Sequence, residues 1–97
     1  MIFKFSHKVL ITSAGGFLGL QNIEYLRKTF KNKIWILSAD SRQFNEFNSS
    51  ADLHVQLPKG NNKNYLFQII KYVKKHNINF ILPCSDEEAI TLSLIHI

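Results

Sequence analysis

Val9-Leu10-Ile11-Thr12-Ser13-Ala14-Gly15-Gly16-Phe17-Leu18-Gly19 decides how this chain folds. An apolar run of strand type stops at a turn of small residues, and a helix-like pattern begins directly after it. Strand, turn and helix in that order form the half-domain that carries nucleotides or anions in α/β proteins. Gly15 and Gly16 can take positive φ and let the backbone come close to a ligand. Gly19 falls on the helical stripe Gly19, Ile23, Leu26, Phe30, where a missing side chain lets helix and sheet pack closely. The first-turn amides would point at whatever lies above the strand end, with the positive end of the helix dipole behind them. A tight strand–helix turn that binds nothing is the competing reading.

Working outward, Lys8–Thr12 reads as the first strand and Phe17–Phe30 as the first helix, with Asn32 as its stop signal. Ile34–Leu37 is a second buried strand ending at Ser38-Ala39-Asp40, which completes a βαβ unit. Ser41–Ser50 is polar and reads as a loop. Leu53–Leu57 alternates apolar and polar, as an edge strand with one wet face does, and Pro58 closes it. The second helix spans about Asn64 to His76 on the stripe Leu66, Ile69, Ile70, Val73, with Lys71, Lys74 and Lys75 in water. Ile78–Leu82 is a fourth strand, ended by Pro83. Ser85 and Glu88 have capping-box spacing and open a third helix, inside which the chain stops at Leu94-Ile95-His96-Ile97; this reads as a truncation. The pattern predicts an α/β fold in three layers, with a parallel sheet of about four strands ordered 3-2-1-4.

Composition narrows the function. The chain has 97 residues, 45% hydrophobic and 20% charged, which suits one small globular domain rather than a disordered segment. No apolar run approaches the roughly 18 residues that span a bilayer, and the N-terminus does not read as a signal peptide. Cys84 is the only cysteine, so no internal disulfide can form. A cytoplasmic protein without a membrane partner is expected. Net charge is +5, with Arg27, Lys28, Lys31 and Lys33 at the end of one helix and Lys71, Lys74 and Lys75 at the end of the other. Helix dipoles favour cations there, and the sequence shows neither a basic stripe with interleaved aromatics nor a reader motif. No nucleic-acid partner is expected on that basis.

The groups that could carry chemistry gather where strands end. Asp40 ends the second strand about 20 residues beyond Gly19, where dinucleotide-binding folds reach ribose hydroxyls; a loop-start Asp that caps local amides is the equal alternative. Asp86 and Glu87 follow the fourth strand on the same edge and could hold an ammonium group or a metal, while Glu88 is equally explained by capping. Cys84 shares that edge, but no histidine is placed to act as its base. His7, His54, His76 and His96 have no ligand spacing with it or with one another, so no metal site is expected. Nor does a nucleophile elbow occur. The candidate binding residues are therefore Gly15, Gly16, Gly19, Asp40, Asp86 and Glu87, with no catalytic residue among them.

Two families share these motifs. Thr12, Gly16 and Gly19 match the Thr-Gly-x-x-Gly-x-x-Gly signature of extended short-chain dehydrogenases and sugar-nucleotide epimerases, with Ser13 in place of the first glycine. Pro83-Cys84-Ser85-Asp86-Glu87-Glu88 instead resembles the Pro-x-x-Asp-Glu-Glu that ends the fourth strand in ATP-grasp ligases of the carbamoyl-phosphate-synthase type. The Gly-Gly turn, Asp40, the Ala51-Asp52 pair and Pro58 fall in the same order as in the N-terminal domain of those ligases. That resemblance covers about residues 8–92, and the chain looks like such a pre-ATP-grasp, Rossmann-like domain over residues 1–97, with the ATP-grasp domains absent. It implies a ligase that joins a carboxylate to an amine through an acyl phosphate. ATP and Mg2+ would be bound mainly by downstream ATP-grasp domains of the same chain, leaving the fragment inactive. An NAD(P)-binding domain and a non-catalytic ligand-binding α/β module are the alternatives.

Overall fold

A computed structural model describes residues 7–41, 50–59 and 62–85, together with Ala89 and Leu92. Strand β1 (His7–Ile11) leads through the glycine turn into helix α1 (Phe17–Phe30) and a short 3-10 turn (Lys31–Lys33). Strands β2 (Ile34–Asp40) and β3 (Leu53–Gln56) follow, then helix α2 (Tyr65–His76) and strand β4 (Phe80–Leu82). All pairings are parallel and the order is β3-β2-β1-β4, as the sequence pattern implies. No described helix is long and apolar enough to cross a membrane.

Alternation along the strands separates two cores. Val9, Ile11, Ile34 and Ile36 face α1 and pack with Ile23 and Ala14. Leu10, Leu37 and Ala39 point the other way, to Tyr65 and Ile69 of α2 and to Leu92. The sheet is therefore sandwiched between helices, and its central strands carry apolar residues on both faces because both faces are covered. Tyr65 is fully buried, a core member that the stripe from Leu66 to Val73 does not include. β3 is the edge strand expected from its alternation, and Leu53 remains exposed.

Element ends have local causes. Lys31, not Asn32, ends α1: it adopts φ 53° and its amide donates to the Arg27 carbonyl. Asn77 ends α2 in the left-handed conformation, and the amides of Asn77 and Ile78 both donate to the Val73 carbonyl. That cap shortens β4 relative to the expected Ile78–Leu82. Asn79 then substitutes for strand pairing, since its amide donates to the Lys8 carbonyl at 2.8 Å and its side-chain oxygen accepts the Lys8 amide at 3.0 Å. In the third helix, the Ala89 amide donates to the Ser85 carbonyl at 3.0 Å. Glu88, the partner of Ser85 in the expected capping box, lies outside the described residues.

A polar clamp fixes the approach to β3. Arg27 of α1 donates to the carbonyls of Ser50, Lys31 and Ile34 and pairs with Asp52 at 2.6 Å. The same Asp52 oxygen accepts the Ile36 amide at 2.8 Å, and the Asp52 amide donates to the Ile36 carbonyl. Glu24, one turn earlier, accepts the amide and hydroxyl of Ser50. Removing the Asp52 carboxylate leaves the Ile36 amide and the Arg27 guanidinium without this acceptor. Asp52→Ala should lower unfolding free energy by about 1–3 kcal/mol in urea titrations, and a variant as stable as the parent would show the clamp to be inert.

On the opposite face of the sheet, His76 packs against Trp35 and Tyr72. Burial, then the charges of Lys75 and Lys8, push its imidazole below the ordinary value of 6.5. The folded protein thus binds this proton less tightly than the unfolded chain does. Its contribution to stability is full above 6.5 and is lost as pH falls from 6.5 through the lower folded value. An NMR titration should place the His76 midpoint below 6.5, and Lys75→Gln should move it upward; a midpoint at or above 6.5 would contradict this packing.

Candidate ligand-binding edge

The parallel strands bring their C-terminal ends to one edge, where the glycine turn, Asp40, Cys84 and Ser85 meet. Thr12 is fully buried. Its amide donates to the Leu82 carbonyl at 3.2 Å, and its hydroxyl oxygen accepts the Cys84 amide at 3.4 Å, tying β1 to β4. The Ala14 amide donates to the Ala39 carbonyl at 3.0 Å, which ties the turn to β2. The turn is thus anchored to both neighbours of its own strand.

Asp40 completes that anchoring. Only 6% exposed, its carboxylate accepts the Gly15 amide at 2.8 Å, while its backbone carbonyl accepts the Leu57 amide. Of the two readings of Asp40, the structure supplies the contact that belongs to amide capping, across two strands rather than within one loop. The Gly16 amide donates to the Ser13 carbonyl at 3.1 Å. Both glycine amides are therefore engaged inside the turn. The amides with no helical acceptor upstream are those of Phe17, Leu18 and Gly19, and Gly16 at the N-cap brings no side chain to cap them.

Neither Gly15 nor Gly16 uses the positive φ open to glycine. No described glycine has positive φ, and Gly16 is extended at φ −83°, ψ 171°. Ser13 instead takes the left-handed position, at φ 50°. The chain makes its reversal two residues early, immediately after Thr12, because Thr12 and Ala14 are already held by neighbouring strands. Ser13 is also the position at which the dehydrogenase signature has its first glycine. Gly19 does have the packing role expected of it: a Cβ there would stand 2.7 Å from Ala14 Cα and would overlap the Ser13 carbonyl oxygen.

Cys84 is half-buried on the α1 side, and its Sγ accepts the Asn22 side-chain amide at 3.4 Å and donates to the Leu82 carbonyl at 3.8 Å. Asn22 also lines a depression of about 570 Å3 along α1, with Phe17, Glu24 and Tyr25. Nothing in the sequence pairs Asn22 with Cys84, which lies 62 residues away. Asp86 and Glu87 fall outside the described residues. Among the described residues no group of three His, Cys, Asp or Glu side chains could hold a metal ion.

The turn should respond differently to two substitutions. Gly19→Ala forces α1 away from backbone that cannot yield, and should cost about 1–3 kcal/mol. Asp40→Ala strands the Gly15 amide and should cost about 1.5–3 kcal/mol, whereas Asp40→Asn keeps an acceptor and should cost less. Urea unfolding checks both. Equal stability of Asp40→Ala and Asp40→Asn would show that Gly15 does not depend on this oxygen.

Comparisons with known proteins bear on the fold and the family. Over residues 9–96 the chain matches the family described as PylC-like, N-terminal domain. Among solved structures it is similar to L-threonine dehydrogenase from Clostridium difficile, with 22% identity and a TM-score of 0.58, over 82% of this chain and 24% of that one. It is also similar to dTDP-glucose 4,6-dehydratase from Bacillus anthracis str. Ames, solved in complex with NAD, with 14% identity and a TM-score of 0.57, over 91% of this chain and 29% of that one. At such identities the two likenesses show the fold alone, and the chain spans about a quarter of each. No curated protein matches it. The family match covers nearly the whole chain, and the protein belongs to the PylC-like N-terminal domain family, the pre-ATP-grasp, Rossmann-like domain of ATP-grasp ligases.

Proposed function

We propose that this chain is the substrate-side domain of an ATP-dependent carboxylate–amine ligase that works through an acyl phosphate, with the glycine-turn edge as one wall of the cleft. The family match over residues 9–96 is the observation that carries this reading. Its site residues are Gly15, Gly16, Gly19, Asp40, Asp86 and Glu87. Gly15 and Gly16 keep side chains away from the cleft, Gly19 seats α1 against the turn, and Asp40 holds the turn through the Gly15 amide. The amides of Phe17 and Leu18 would meet an anionic group, with no acidic side chain in the first turn of α1 to repel it. In this reading Asp86 and Glu87 would take a cationic or hydroxyl group and so give the bound molecule a direction.

This reading places the ATP–magnesium site mainly outside this chain. Asp40 is directed at Gly15, the turn from Thr12 to Gly16 holds no lysine or arginine, and no described cluster could ligate a metal. Phosphoryl chemistry belongs, in this reading, to ATP-grasp domains of the same parent protein, and the present residues orient the non-nucleotide substrate. A location in the cytoplasm accords with a chain whose one cysteine leaves no internal disulfide to form. The second reading, an NAD(P)-binding domain, draws on the dehydrogenase-like fold. It is weakened at the residue level because the Asp40 oxygen takes the Gly15 amide.

Calorimetry separates the two. Titrating ATP–magnesium, and then NAD, into this chain should give no binding tighter than about millimolar. Micromolar ATP affinity would put the nucleotide site in this domain and overturn the assignment of roles, and micromolar NAD affinity would favour the dehydrogenase reading. In the full-length protein, Gly16→Val should reduce carboxylate- and amine-dependent ADP release by about tenfold or more at unchanged fold, because its side chain would enter the cleft. Wild-type turnover would remove the turn from the site.

A further inference from the structure

Register partners Val9 with Phe80 and Ile11 with Leu82 put Phe80 and Leu82 on the α1 face of the sheet. On that face α1 packs over β1 and β2, with Ile23 against Val9, Ile11, Ile34 and Ile36. β4 lies beyond it, and Phe80 is left 54% exposed. Between α1 and β4 runs an apolar groove of about 300 Å3, lined by Leu26, Phe30, Phe80 and Leu82. His7 forms part of its wall, edge-on to the rings of Phe30 and Phe80 at 5.9 and 5.5 Å. Of the described residues after β4, Leu92 packs into the α2 core on the other face. Right-handed crossovers explain that placement, since β4 continues the sheet in the direction set by α2. Parallel strands are ordinarily covered on both faces, and here one face of β4 is open.

The flank of α1 above that groove is uncharged. Leu18, Asn22, Tyr25, Leu26 and Thr29 follow one another at helical spacing, and the Asn22 bond to Cys84 turns this stripe toward β4. Glu24, Arg27 and Lys28 fall on other sides of the helix, and the first two reach toward β3. Leu18 is 53% exposed and Tyr25 67%. Projecting apolar side chains and the groove therefore share one surface, in a chain whose net charge is +5.

We propose that this α1–β4 face is where two copies of the chain meet across a two-fold axis, each covering the other's groove. Charge selects a second copy: an acidic partner is drawn to the lysines, whereas equally cationic copies approach most easily through a face without charges. Geometry agrees, because a two-fold sets the same patch on both sides and makes each contact of projection with groove twice. Leu18, Tyr25 and Phe80 leave on the order of 300 Å2 of side chain exposed. A standard interface takes about 800 Å2 from each partner, so the dimer is weak and reversible, with Kd about 10–100 µM. This association goes beyond the ligase reading and does not depend on it.

Sedimentation equilibrium of this chain from about 1 to 500 µM tests it, with reductant present so that Cys84 cannot cross-link copies. The mass should rise from 11.3 kDa toward twice that value and stop there. Tyr25→Lys sets like charges against each other across the axis and should weaken association about tenfold or more. Thr29→Lys, on the same stripe, should act in the same direction, with circular dichroism checking that both variants fold. Phe67→Lys removes an equally exposed ring on α2, 69% exposed, and should leave association unchanged. A single 11.3 kDa species throughout would overturn the proposal and leave the groove to another polypeptide segment. Unchanged association in both stripe variants would also overturn it. So would an equal loss in Phe67→Lys, which marks non-specific adhesion of exposed rings, or growth beyond the dimer, which marks an open-ended contact.

Discussion

The bond from the Gly15 amide to the buried Asp40 carboxylate sets the geometry of the whole C-terminal edge. It joins the turn after β1 to the end of β2, beside a second bond from the Ala14 amide to the Ala39 carbonyl. A carboxylate that is 6% exposed must be matched by donors, and a turn with exposed amides must be matched by acceptors, so each resolves the other's cost. The turn cannot then relax into the helix or the loop without stranding a buried charge. α1 starts where it does because the turn is fixed, and Gly19 lets the helix close onto that fixed backbone without a side chain between them.

A comparable polar device holds the other end of β2. Arg27 and Asp52 connect the last turn of α1 to Ile36 and to the lead-in of β3. The apolar cores supply most of the driving force, but they do not say where a strand begins, because hydrophobic burial has no direction. Hydrogen bonds do. Asp40 and Asp52 both accept backbone amides with their side chains, one above and one below the same strand, and so fix the register in which β2 meets its neighbours. The ligand-facing turn and the far clamp are then rigidly related through β2.

Much of this could be read from the chain. The apolar runs at Val9–Ile11 and Ile34–Leu37 and the stripes of both helices gave the sheet order and the layers, because burial patterns repeat with the period of the backbone. Gly19 was legible too, as a gap in an otherwise apolar stripe. Ser13 was not: a left-handed serine is forced by bonds that Thr12 and Ala14 make to other strands, and no residue preference announces it. Asn22 beside Cys84, and the Arg27 clamp, were equally hidden, since both depend on side chains that meet only after the helix has docked.

What the sequence determines by itself is periodic and local: which segments are strands, which are helices, which faces turn inward and where glycine is tolerated. Those properties follow from backbone geometry and the alternation of apolar residues, so a single pass along the chain suffices. What only the tertiary structure decides is pairing across distance. The Asp40 carboxylate meets the Gly15 amide, 25 residues earlier, only because the fold brings the ends of β1 and β2 together. Lys8 and Trp35 are unremarkable on their separate strands and become one surface with His76 and Tyr72 only through the sheet and α2. The physical reason is the same in each case, for a polar or aromatic side chain acquires its role from its partner, and the partner is chosen by the fold.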